Sequence, residues 1–183
     1  MKLRKAQHQR KSKETQIKVE LNIDGQGKTN IKTPIGLLDH MLELFAFHGF
    51  FDLKLEVKGD THIDIHHTNE DIGIVLGQVF KKALGDKRLG IRRFGSAFAP
   101  MEKAVGRTVV DLSGRGYFTL QVGELDQVAP EIKDQENYSI KYLEHFLESF
   151  AHGAGATIHV RIENPDADLH TNLETVFKSL GLA

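Results

Sequence analysis

A chain of 183 residues, 40% hydrophobic and 27% charged, has the size and balance of one globular domain or of two small lobes sharing a core. Its 24 basic and 25 acidic side chains leave no net field that favours nucleic acid, and no stretch approaches the roughly 20 apolar residues of a membrane span. Cysteine is absent, which excludes a disulfide framework, an iron–sulfur cluster and a thiolate zinc site, so a transition metal has only imidazole and carboxylate to hold it.

The first residues are basic (Lys2, Arg4, Lys5, Arg10, Lys11, Lys13) with no apolar core behind them, so they read as a solvated arm and not a secretory signal. A cytoplasmic location is the expectation. Residues 15–24 alternate polar and apolar, the period of a half-buried strand, and Asp24-Gly25 turns the chain into a second strand. Thr33-Pro34 opens a helix with Leu37, Leu38, Met41, Leu42, Phe45 and Phe47 on its apolar face, and His48-Gly49 ends it. Residues 51–57 alternate again up to Gly59-Asp60, and a second helix runs from near Thr68 to Leu84 before Gly85-Asp86. The same order then recurs. Thr108 to Leu112 and Tyr117 to Val122 read as strands around Ser113-Gly114, and a polar loop covers roughly residues 124–138. A helix (142–152), a strand (157–162) and a last helix (172–180) follow.

The recurrence shows in residues as well as in order. Leu38-Asp-His-Met-Leu-Glu-Leu-Phe-Ala46 is matched by Leu143-Glu-His-Phe-Leu-Glu-Ser-Phe-Ala151, and His67-Thr-Asn69 by His170-Thr-Asn172. The expected fold is α+β: two fused ββαβα halves, 1–91 and 92–183, related by a pseudo-twofold, with sheets packed against helices.

Ten histidines are the unusual count. His66 and Glu70 stand four apart, so a helix presents both on one face, while His67 is turned by about 100° toward a different partner. His170 and Glu174 repeat the pair, and His40 and His145 occupy equivalent places, each beside an acidic residue. One such pair is an ordinary helix start. Its duplication points to two symmetric metal sites, since an imidazole and a carboxylate one turn apart offer two donors to one ion. His48 and His152 end helices, where an imidazolium meets the negative end of the dipole or, alternatively, touches substrate. His8 and His62 read as surface residues.

Four runs carry a family resemblance: Gly36 to Gly49, His-His-Thr-Asn-Glu-Asp-Ile (66–72), Arg-Arg-Phe-Gly (92–95) and Asp-Leu-Ser-Gly-Arg (111–115). From Lys11 onward the chain resembles imidazoleglycerol-phosphate dehydratase, a duplicated fold related to the second domain of ribosomal protein S5. The resemblance implies loss of water from imidazoleglycerol phosphate to give imidazole acetol phosphate in histidine biosynthesis. It also implies two manganese ions per chain and a homo-oligomer, a 24-mer built from trimers. By the same resemblance one metal takes His40, His66 and Glu70, and the other His67, His145, His170 and Glu174. Arg93 and Arg115 match phosphate-binding arginines, Lys178 a lysine near the phosphate, and Glu14 an acid/base glutamate; His48 joins the substrate residues. There are departures from the family pattern. Thr171 follows His170 where the family has a second histidine, Met101-Glu102-Lys103 replaces Met-Asp-Glu, Gly116 replaces proline, and the run stops at Ala183 before a Ser/Lys-containing tail. Two other readings keep the fold: a metal-binding homologue with weakened catalysis, and an RNA-binding module, against which the balanced charge argues.

Overall fold

The alternation over 15–24 forms a strand because every second side chain is buried: Thr15, Ile17, Val19 and Leu21 face inward, while Gln16, Lys18 and Glu20 face solvent. In the computed structural model, which describes residues 4–85, 90–123 and 131–183, this strand is β2 (Thr15–Asn22). It lies between β1 (Lys5–Lys11) and β4 (Asp52–Gly59), with β3 (Thr29–Lys32) beyond β4. A second sheet has the equivalent order: β5 (Phe94–Met101), β6 (Ala104–Asp111), β8 (Thr157–Glu163) and β7 (Tyr117–Val122). In both sheets the last-named strand pairs parallel to its neighbour and the other pairs are antiparallel. The helices are α1 (Gly36–His48), α2 (His66–Leu84), α3 (Ile140–Ala154) and α4 (Leu169–Leu182).

The duplicated α+β architecture is therefore present, with one further strand at the front of each half. The basic arm is not a free tail. It pairs with β2 from Lys5↔Asn22 to Lys11↔Gln16 as an edge strand with mostly exposed side chains, held by backbone hydrogen bonds that leave no apolar pattern. β5 is the same device in the second half. The correspondence extends to single bonds. Ile23 N–H donates to the Arg4 carbonyl at 3.0 Å and Leu112 N–H to the Arg93 carbonyl at 3.1 Å. Each of these arginines also pairs with a carboxylate at the far end of the neighbouring strand, Asp24 and Asp111.

Helix starts differ from the sequence reading by a few residues. Thr33-Pro34 lies in the approach to α1, where Ile35 N–H donates to Thr33 Oγ1 and Thr33 N–H to the Asp39 carboxylate. The helix itself begins at Gly36. Both α2 and α4 begin earlier than expected, which brings His66 and His170 into their first turns.

Each sheet is covered by the helices of its own half, and the helices pair across halves: α1 with α4, α2 with α3. Glycine permits the closest approaches. A Cβ on Gly77 would lie 2.3 Å from the Phe150 carbonyl oxygen, and one on Gly181 would lie 2.6 Å from that of Phe45. Gly77 follows His66 by eleven residues and Gly181 follows His170 by eleven, so helix packing equates His66 with His170 and Glu70 with Glu174. The Thr-Asn repeat is offset by one residue from this equivalence. Within each pair the helices run parallel, with the imidazole–carboxylate residues near their N-terminal ends. At the opposite pole the C-terminal ends of all four helices converge on an apolar cavity of about 410 Å³ lined by Phe45, Phe80, Phe150 and Leu180.

Candidate metal centre

Between α1 and α4, three donors meet. His170 Nε2 lies 3.0 Å and His40 Nε2 3.4 Å from the same Glu174 oxygen, Oε1, and the two rings stack at 5.1 Å. One ligand atom from each lies within 4.8 Å of the others, and among the described residues this is the group of three that converges so closely. One turn further along α4, Lys178 hydrogen-bonds Glu174 Oε2, and its Nζ is 4.0 Å from Met101 Sδ. Burial acts to raise the Glu174 pKa, but the hydrogen bonds from Lys178, His40 and His170 outweigh it and hold the carboxyl below its usual value. His48 closes α1 beside this group; burial first, and the Lys178 charge second, lower its pKa.

The pseudo-equivalent group lies between α2 and α3. His66 Nδ1 is 3.1 Å from His145 Nδ1 with ring centroids 4.8 Å apart, and His66 Nε2 is 3.8 Å from Glu70 Oε2. Two facing Nδ1 atoms at that distance require one ring to donate and the other to accept. The partners sit on opposite sides of the His66 ring, so the donors spread where those of the other group converge. His67, turned away, has its Nδ1 3.8 Å from Glu14 Oε2, both side chains about half exposed.

The turn carrying Glu14 is anchored from below. Ser12 Oγ accepts from Glu14 N–H and Thr15 N–H, and Thr15 Oγ1 donates to Asp71 at 2.5 Å. Arg10 also reaches Asp71, at 2.9 Å.

The helix starts are held by residues the sequence reading passed over. Asp64 accepts from His66 N–H and from the Tyr142 hydroxyl, and Asp168 accepts from Thr171 N–H; backbone hydrogen bonds are the largest cause of both lowered carboxyl pKa values. A readable signal existed: an aspartate stands two residues before His66 and again two before His170, where Asp168 is the N-cap of α4. Buried Asn69 donates to the Tyr142 carbonyl and accepts from the Tyr138 hydroxyl. Thr171, which packing equates with the exposed His67, is buried.

The donor sets implied by resemblance do not assemble within one chain. His40 meets His170 and Glu174 instead of His66 and Glu70, and His145 meets His66. The arginines lie elsewhere. Arg93 makes two bonds to Asp111, at 2.6 and 2.9 Å, with its guanidinium over the Phe94 ring. It precedes Gly95, which packs on Ala183, and exposed Arg115 precedes Gly116, which packs on His152. Both are therefore at the C-terminal pole of the helices. From His170 to Ala183 along α4 is about 20 Å at 1.5 Å per residue.

A family model described as imidazoleglycerol-phosphate dehydratase matches residues 33–183. Imidazoleglycerol-phosphate dehydratase of Clostridium botulinum (strain Okra / Type B1) is 48% identical over 178 residues, covering 95% of this chain and 85% of its own length. That of Methanocella arvoryzae is 48% identical over 181 residues, 99% of this chain and 90% of its own. Among solved structures, IGPD from Pyrococcus furiosus superimposes with a TM-score of 0.79 at 34% identity, over 96% of this chain and 90% of that one. The Staphylococcus aureus enzyme gives 0.79 at 32% identity, over 98% and 97%. A match along most of the chain, joined to a fold with duplicated histidine–carboxylate groups, places this chain in the imidazoleglycerol-phosphate dehydratase family of histidine biosynthesis.

Proposed function

We propose that this dehydratase converts imidazoleglycerol phosphate to imidazole acetol phosphate and water with the duplicated histidine–carboxylate residues holding two manganese ions. The observation that carries this reading is the duplication itself: His40, His170 and Glu174 on one helix pair, His145, His66 and Glu70 on the other. The chemistry of the donors fits a divalent ion. Imidazole and ionised carboxylate are borderline-to-hard ligands, and Glu174 is held ionised by its neighbours. Bound there, a divalent ion supplies positive charge that stabilises the substrate's imidazole as the adjacent C–H loses its proton.

The chain's own residues do the rest. Glu14, on an anchored turn and exposed beside His67, is placed to take and return protons. Arg93 and Arg115 suit a phosphate dianion because the guanidinium fork matches two oxygens at once. Lys178 and His48 border the α1/α4 group and complete the substrate side. The separation of about 20 Å between the histidine pole and the arginine pole is too long for one substrate to bridge, so a second copy supplies one of them. That is the role of the homo-oligomer, the 24-mer of trimers. In such an assembly the donor sets implied by the resemblance, His40 with His66 and Glu70, and His67 and His145 with His170 and Glu174, would each be completed across two copies. A cytoplasmic location suits the reaction.

The test is metal content per chain on the purified oligomer, measured with turnover of imidazoleglycerol phosphate before and after chelation. Two ions per chain, with turnover lost on chelation and regained on manganese addition, is the expected result. Full turnover without metal overturns the metal reading. Two ions with no turnover favours the weakened homologue, for which buried Thr171, at the position packing equates with His67, is the specific observation.

A further inference from the structure

The halves differ most in the connection before the third strand's helix. In the first half three residues, 33–35, join β3 to α1; in the second, residues 123–139 join β7 to α3, and the 124–130 part of the expected polar loop lies outside the described residues. The described end of that longer connection contains a tight hairpin turn. Gln135 N–H donates to the Tyr138 carbonyl at 3.0 Å, and Tyr138 N–H to the Gln135 carbonyl at 2.7 Å. Glu136 and Asn137 between them have φ of 50° and 60°, as a two-residue turn of this hand requires.

The two ends of the turn grip different helices. Gln135 Oε1 accepts from His170 N–H at 3.0 Å and Gln135 Nε2 donates to Asp168 Oδ2 at 3.0 Å, both at the start of α4. Tyr138 is 1% exposed, and its hydroxyl donates to Asn69 Oδ1 at 2.8 Å in the first turn of α2. Asn69 passes the connection on to the Tyr142 carbonyl of α3 at 2.8 Å. A rigid turn thus spans the starts of both helices that carry an imidazole–carboxylate pair, although α2 and α4 are not packed partners.

We propose that Gln135 and Tyr138 are positioning residues: together they form a clasp that fixes the N-terminal turns of α2 and α4 relative to each other, and so sets the two candidate metal groups. Neither residue is a metal donor in the ligand sets proposed above. The inference rests on the metal reading for its consequence in catalysis, but the clasp itself is mechanical. Asp64 and Asp168 hold each helix start individually, and Lys133 N–H donates to the Ala167 carbonyl at 3.2 Å, so breaking either end of the turn loosens the restraint between the two starts without unfolding either.

The experiment is amide hydrogen exchange on demetallated full-length protein, comparing Gln135→Ala, Tyr138→Phe and the double variant. Tyr138→Phe removes one oxygen and preserves the ring, and Gln135→Ala changes a partly exposed side chain, so the fold stays intact in at least one. The diagnostic readout is the effect on the helix each residue does not touch. Tyr138→Phe should speed exchange at His170 and Thr171, and Gln135→Ala at His66 and Asn69, each by about tenfold, the scale of one lost hydrogen bond. The double variant should be no worse than the singles, the signature of one shared device. Manganese titrated calorimetrically into the same proteins should bind about tenfold more weakly in every variant. Exchange confined to the touched helix, or additive effects in the double variant, overturns the clasp. Cross-helix exchange with no manganese binding in the parent protein upholds the clasp and overturns the metal reading instead.

Discussion

The two helix pairs carry the same three donors, two imidazoles and a carboxylate, at equivalent positions and arrange them differently. Between α1 and α4 both imidazoles point at one Glu174 oxygen and Lys178 takes the other, giving a closed, charge-balanced group. Between α2 and α3 the donors are strung along both sides of His66, and the group opens outward through His67 to Glu14. Duplication fixed the backbone, and single residues then separated the roles. His67 faces solvent where packing gives the second half buried Thr171. Only the first half has Asp71, the carboxylate that anchors the turn bearing Glu14. On the proposed reading both groups hold an ion, and the open one alone continues outward to Glu14, the proposed proton-transfer residue.

Gly77 and Gly181 make the equivalent close contacts in the two helix pairs. Introducing valine at either position forces the helices apart, at about 1–3 kcal/mol or more for overpacking. Gly77 is mid-helix and faces the backbone of both Phe150 and Ala154, whereas Gly181 is next to the last residue of α4, which yields more readily. Gly77→Val should therefore lower Tm by roughly 6–10 °C, at a few degrees per kcal/mol for this chain length, and Gly181→Val by less. Calorimetric melting checks the order. Equal losses would mean that the two helix pairs are packed alike to their ends.

Arg4 and Arg93 offer a sharper contrast, since each precedes an edge strand, has its carbonyl bonded two strands' length away and pairs with a carboxylate. If only the second half supplies the phosphate site, Arg93→Ala raises KM about ten- to a hundredfold, the value of a lost charge-assisted hydrogen bond, and Arg4→Ala leaves it unchanged. Arg115→Ala should behave as Arg93→Ala does. Steady-state kinetics on imidazoleglycerol phosphate decide it. Unchanged KM in both Arg93→Ala and Arg115→Ala would place the phosphate elsewhere.

The sequence shows some of this more readily than the rest. The buried helix faces are legible because Leu38 and Leu143, or Phe45 and Phe150, must recur wherever a helix covers a sheet. The i, i+4 pairs are legible because they are local. The edge strands are not: β1 is almost wholly polar, and β5 contains Gly95, Ser96 and Pro100, so only backbone pairing with a neighbour reveals them. Nor is the partner of each histidine legible. His40 joins His170, and His145 joins His66, because the helices pair across halves, a matter of tertiary contact between segments more than a hundred residues apart for His40 and His170. The Thr-Asn repeat misaligns the halves by one residue, and the glycine contacts restore the register.

Imposing the second half's residue on the first tests the division of roles directly. His67→Thr removes the imidazole beside Glu14 from an exposed position, so stability should change by no more than about 0.5 kcal/mol. Turnover should nevertheless fall by at least about tenfold, because the proposed second ion loses the imidazole of His67 and Glu14 loses its neighbour. Unchanged turnover would remove His67 from the proposed donor set and leave its exposed contact with Glu14 as a surface ion pair.

The smallest expected effect concerns the turns that follow β2 and β6. In the first half Asp52 gathers the turn, accepting from Gln26 N–H at 2.8 Å, Lys28 N–H at 3.1 Å and Asn22 Nδ2 at 3.0 Å. The equivalent first position of β8 is Thr157, whose hydroxyl makes one longer bond, 3.4 Å, to the Arg115 carbonyl. The Gln26 backbone hydrogen bond, with Asn22 next, holds the Asp52 carboxyl below its usual 3.8. Since the folded value is the lower one, the contribution is fully present above that usual value and is lost as pH falls through the folded value. A hydroxyl has no such transition. Below about pH 4, amide exchange at Gln26 and Lys28, after correction for the intrinsic pH dependence, should rise relative to the amides of the second-half turn. Asp52→Asn should abolish that difference by leaving the first turn equally loose at every pH. A first turn that stays protected through this range would show that Gly25, packed against the Asp52 backbone with no room for a Cβ, holds the chain by shape and not by charge.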